Sequence, residues 1–139
     1  MRSQLASIFT AAIVGAALAV AVPAEPQSSR AQVDALMTQL AADKDPAMRA
    51  RAARGLGEMN ATEAIPVLVT ALGDADSMVR SHAVGALARV GRGSEPVAVA
   101  LAGALQDADP GVRSGAASDL VALGPVSRAA IPALEKALA

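Results

Sequence analysis

One seven-residue phrase occurs three times in this chain: Asp43-Lys44-Asp45-Pro46-Ala47-Met48-Arg49, Asp74-Ala75-Asp76-Ser77-Met78-Val79-Arg80 and Asp107-Ala108-Asp109-Pro110-Gly111-Val112-Arg113. Each copy continues alike. Ala52, Ala83 and Ala116 follow the arginine, and Leu56, Leu87 and Leu120 come next at helical spacing. Upstream, the leucine pairs Leu36/Leu40, Leu68/Leu72, Leu101/Leu105 and Leu134/Leu138 recur every 32 or 33 residues. A period in this range marks a stack of helix pairs, because one such unit cannot bury its apolar face without a neighbour.

The chemistry of the phrase fits a helix start. Asp45, Asp76 and Asp109 precede helical runs, where a carboxylate accepts from unpaired backbone N–H groups and meets the positive end of the helix dipole. Pro46 and Pro110 fall at the first helical position, where a missing N–H costs nothing. Met48/Ala52/Leu56 and Val79/Ala83/Leu87 then keep the spacing of one buried face, and Gly91 and Gly124 are placed to close the second and third of these helices in a left-handed conformation. The other helix of each pair carries the leucines. Ser29 with Gln32 resembles a capping box, Ser94 and Ser127 precede the third and fourth of these helices, and Pro66, Pro96 and Pro132 lie in first turns. The expectation is an all-α superhelix of about seven helices, three pairs plus a terminal helix, with repeats at about 29–61, 62–93 and 94–126 and a half-repeat at 127–139.

The Asp-x-Asp-x-x-Val-Arg-x-x-Ala-x-x-x-Leu pattern, with Ile65-Pro66 and Ile131-Pro132 opening the helix before it, resembles the HEAT-like repeat of phycobilisome-lyase type. The resemblance covers nearly all of the chain beyond residue 24. It implies an α–α solenoid whose second helices line a concave surface shaped for an extended partner. Fold alone does not name a function. The iron-binding hydroxylases of this kind use repeated His-Glu pairs, which this sequence lacks.

Composition narrows the choice. Hydrophobic residues make up 53% of the chain and aromatics 1%, so the apolar mass is Ala, Leu, Val, Ile and Met, which suits closely packed helices. With no cysteine, disulfides, thiolate metal sites and a cysteine nucleophile are excluded. A net charge of −1 argues against nucleic acid, and so does the lack of any aromatic beyond Phe9 to stack on bases. The one histidine, His82, has no companion ligands in sequence, so no metal and no cofactor are expected. No nucleophile–base pair can be assembled, and the chain reads as a binding protein rather than an enzyme.

Residues 1–24 have the layout of an export signal. Arg2 gives a positive start, an apolar run extends from Ile8 to Val22, and Val22-Pro23-Ala24 supplies small residues before a polar segment. Cleavage after Ala24 would release residues 25–139 as a periplasmic or secreted repeat domain. Retention would leave the run from Leu5 to Val22 as an N-terminal membrane anchor, the one route by which a membrane enters this reading.

Columns that repeat identically and columns that vary call for different readings. Arg49, Arg80 and Arg113 recur in step with Asp43, Asp74 and Asp107, which suggests neutralising bidentate pairs in the turns. Variable positions on the same helices are the candidates for recognition. Arg51, Arg54, His82 and Arg89 would together form a basic patch for a protein or peptide, acidic in character. The expected role is an adaptor or scaffold; the alternative is a non-catalytic lyase or chaperone-like component acting on a cofactor-bearing protein. At the C-terminal end, Leu134 and Leu138 are expected to turn inward as a cap. Ala130, Ala133 and Ala137 would then be an outer strip able to support weak self-association.

Overall fold

The computed structural model describes residues 25–139, and the expected export signal lies outside them. The described residues fall into two units, divided after Ala31; the second, Gln32–Ala139, holds the repeat stack. The helices are α1 (Glu25–Ala42), α2 (Pro46–Glu58), α3 (Ile65–Ala71), α4 (Ser77–Val90), α5 (Glu95–Ala104), α6 (Pro110–Leu123) and α7 (Ile131–Leu138), with 3₁₀ turns at Thr62–Ala64 and Gly124–Ala130. Among the described residues there is no strand, and no helix is long and apolar enough to cross a membrane.

The second helices of the pairs start at aspartates. Asp45 accepts from Ala47 N at 2.9 Å, Asp76 from Met78 N at 2.8 Å and Val79 N at 3.3 Å, and Asp109 from Gly111 N at 2.8 Å and Val112 N at 3.1 Å. Each cap satisfies donors that the first helical turn leaves unpaired. Prolines open α3, α5 and α7 within their first turns. The second helices α2, α4 and α6 stack side by side, while α3 packs on α4 and α5 on α6, so two helical layers enclose one core.

Alanine and glycine set how closely the layers approach. Leu56, Leu68, Leu87 and Leu101 are fully buried, and Ala52, Ala53, Ala64, Ala83, Ala98 and Ala116 have no exposed surface between them. At Gly57 a side chain would have no room: a Cβ there would lie 2.8 Å from Cα of Ala86, which brings α2 and α4 almost into backbone contact.

Several local expectations are corrected. Ser29 does not start α1, which begins at Glu25; Pro26 in a first turn gives up only an N–H that has no partner there. Ser127 is not a cap but lies within the second 3₁₀ turn, where its hydroxyl donates to the Gly124 carbonyl at 2.6 Å. Ser94 stands at the N-cap of α5 without a side-chain capping bond. Gly91 is not left-handed, having φ −100°; it is required because a Cβ would meet Cγ2 of Val97 at 2.5 Å. Gly124 does close its helix with positive φ, 62°, but its ψ of −130° lies outside the left-handed helical region, and the other positive φ values fall on Asn60 and Gly93. Met48 is 38% exposed although Val79 and Val112 in its column are buried, because no second helix precedes α2 to cover it among the described residues. At the C-terminal end Leu134 packs against the core, but Ala130 is fully buried and so cannot belong to an outer strip. The exposed apolar residues there are Val121 and Ile131. The side chains of Ala137 and Leu138 lie outside the described set.

Candidate functional site

The repeated arginines are consumed by the architecture. Arg49 donates Nε and Nη2 to the two carboxylate oxygens of Asp74, both at 2.8 Å. Arg80 does the same to Asp107 at 2.7 and 2.8 Å. The third nitrogen turns back to its own loop: Arg49 Nη1 to the carbonyls of Asp43 and Lys44, and Arg80 Nη1 to those of Asp74 and Ala75. Asp74 and Asp107 also accept the backbone N–H of Asp76 and Asp109. Each bridge therefore ties a repeat to the following one and fixes the loop that presents the next helix cap.

These pairs are largely shielded from solvent, with side-chain exposures of 17% and 13% in one and 15% and 10% in the other. The arginine hydrogen bond is the main reason that the Asp74 and Asp107 carboxyls are held below the usual carboxylate range, and partial burial opposes it. Because the partner is one repeat on, three copies of the pair give two bridges among the described residues. Arg113 reaches only the carbonyls of Asp107 and Ala108, and the Asp43 carboxylate accepts from Asp45 N and Gln39 rather than from an arginine. An anion track along this column is thereby excluded for Arg49 and Arg80.

The variable columns behave differently. Arg54, His82 and Arg89 come together around a cavity of about 430 Å³ between α2 and α4, with Glu58, Ser81 and Gly85. Arg51 lies outside this wall, exposed on α2. Arg54 is also not a free cation: its Nε meets Glu58 at 3.0 Å, one helical turn on. Both side chains are more than half exposed, so solvent screens the pair and its contribution is small.

A second cavity of about 510 Å³ opens between α4 and α6 and shares Gly85 and Arg89 with the first. Its other polar groups are Arg92, in the turn after α4, and Asp119 on α6. Burial pushes the Asp119 carboxyl above its ordinary range, and attraction to Arg89 only partly counters this. Asp119 and Arg92 are the site residues that pattern reading missed. The signal for Asp119 was present, since its column holds Gly55 and Ala86 in the other repeats. Among the described residues no group of three His, Cys, Asp or Glu side chains is placed to hold a metal ion.

A two-layer helical stack with bridged repeats and a grooved second-helix face defines a helical-repeat scaffold or protein-interaction module, a class that is typically non-catalytic. The HEAT repeats family matches residues 33–103, and the PBS lyase HEAT-like repeat matches residues 112–139. The chain belongs to the HEAT repeat family. It is also similar to a crystal structure of an engineered protein from the Northeast Structural Genomics Consortium, at 28% identity and a TM-score of 0.57. That match covers 73% of this chain and 50% of the other, so this chain spans about half the length of that protein. A comparison with curated proteins finds no match.

Proposed function

We propose that this protein is an exported adaptor that holds a protein partner in the groove along α2, α4 and α6, and that the partner segment is acidic. One observation carries the reading: Arg49 and Arg80 of the repeated column are spent on bridges, whereas Arg54 and Arg89 at variable positions line cavities that adjoin along the second helices. Arg89 stands where the two cavities meet and makes no ion pair. Structural columns must repeat for a solenoid to stack, so side chains that depart from the repeat and face a groove are available for recognition. Export rests on the sequence of residues 1–24 and is checked by N-terminal sequencing of the protein recovered from the envelope, which should begin at Glu25.

Binding is tested by recovering partners from the native envelope fraction on immobilised protein and comparing Arg54→Glu/Arg89→Glu. The charge reversal should abolish recovery of the specific partner while the protein stays helical by circular dichroism at the assay temperature, with only a small loss of stability from the Glu58 and Asp119 carboxylates that Arg54 and Arg89 face. Equal recovery by the double variant would show that the partner uses another face.

A further inference from the structure

The α2–α4 and α4–α6 interfaces differ at two equivalent columns. In the first, Gly57 of α2 closes on Ala86 of α4, to the point that a Cβ would lie 3.0 Å from the alanine methyl. One repeat later the same two columns hold Ala88 and Asp119, and both line the cavity of about 510 Å³. A carboxylate thus stands where the fold elsewhere places a methyl or a hydrogen. It is partly buried, and among the described residues no hydrogen bond or ion pair holds it. Burying a charge without a partner costs stability, so Asp119 is a liability to the fold.

Opposite it, Arg89 and Arg92 are exposed and make no ion pair. The cavity therefore offers two guanidiniums and one carboxylate on a floor of small residues, Gly85 and Ala88 among them. Its size is in the ~300–1,000 Å³ range of ligand pockets. It adjoins the cavity of Arg54 and His82 through Gly85 and Arg89, so the two recesses together follow α2, α4 and α6 as an extended segment would.

We infer that the α4–α6 cavity takes an extended peptide segment carrying an acidic side chain beside a basic one, the acid held by Arg89 and Arg92 and the cation by Asp119. This rests on the groove's being the partner site and adds to it a cation that a purely basic track would repel. Asp119 supplies specificity by difference: a segment with acids alone leaves its carboxylate unpaired, whereas a mixed segment neutralises it.

The test uses the purified full chain and three fluorescein-labelled, end-blocked peptides spaced with glycine: alternating Glu and Lys, Glu only, and Lys only. Fluorescence anisotropy should show the mixed peptide binding roughly tenfold or more tighter than either single-sign peptide, the scale of one charge-assisted contact. Asp119→Asn should bring the mixed peptide down to the Glu-only level while raising the urea unfolding midpoint. A merely structural residue would not weaken one ligand while stabilising the fold. Arg89→Ala should weaken both Glu-bearing peptides. If the Glu-only peptide binds as tightly as the mixed one and Asp119→Asn changes neither, this inference is overturned while the acidic-partner reading stands. If no peptide binds, or if Arg89→Ala has no effect on those that do, both fall.

Discussion

Leu87→Ala tests whether the stack is held from its middle. Leu87 has no exposed surface, and it sits on α4, the helix that packs against both α2 and α6. Truncation removes three carbons from a filled space. At ~0.8 kcal/mol for each buried carbon the lost transfer energy is about 2.4 kcal/mol, and the unfilled cavity carries the total to ~3–5 kcal/mol. The same change at Leu120, 7% exposed on α6, should cost less, ~2–3 kcal/mol, because α6 has no described second helix beyond it. Met48→Ala, at a position 38% exposed, should fall below ~1 kcal/mol. Urea unfolding followed by circular dichroism measures all three, and the slope should stay constant if the whole stack unfolds together. Equal losses at Leu87 and Leu120, or a loss under ~1 kcal/mol at Leu87, would refute this account of the core.

Acid should weaken the inter-repeat bridges. The Asp74 and Asp107 carboxyls titrate below their unfolded-state range, so their contribution is complete above that range and is lost as pH falls through the folded values. Urea midpoints of the parent and Asp74→Asn should differ at neutral pH and converge at low pH; a constant gap would contradict the bridge as its source. Asp119 has the opposite sign: its contribution is present below the unfolded-state range and is lost as pH rises through the raised folded value. The advantage of Asp119→Asn should therefore grow from acid towards neutral pH. Asp76→Ala removes two cap bonds at the start of α4 and should cost ~1 kcal/mol in the same assay.

The fold was legible because its signals are local and repeated. An aspartate before a helical run, a proline in a first turn and leucines at helical spacing each act within a few residues, and three copies make a chance match improbable. What sequence could not supply was the partner across a repeat boundary. Arg49 and Asp43 are close in sequence, yet the guanidinium pairs with Asp74, because α2 aims it at the following loop. Gly91 shows the same limit. A glycine after a helix suggests a left-handed cap, but the constraint is Val97 on the next helix, and the positive φ moves to Gly93. The candidate site was half legible: Arg54, His82 and Arg89 share a wall, while the pairing of Arg54 with Glu58 and the place of Asp119 needed coordinates.

The two kinds of Asp in this chain make the general point. Asp74 and Asp107 recur, each receives two nitrogens from an arginine, and the fold lowers their proton affinity. Asp119 occurs in one repeat, in a column otherwise given to small residues, and the fold raises its proton affinity. Stacking explains the first pair completely, since a bridge at every boundary is what a periodic structure can reuse. It does not explain the second, because alanine at that position, Ala86, already lets α2 and α4 come almost into backbone contact. Asp119 instead lines the α4–α6 cavity with the exposed Arg89 and Arg92, where the inferred peptide segment would meet all three. In a solenoid, function is therefore to be sought where a column breaks its own rule at a cost to packing.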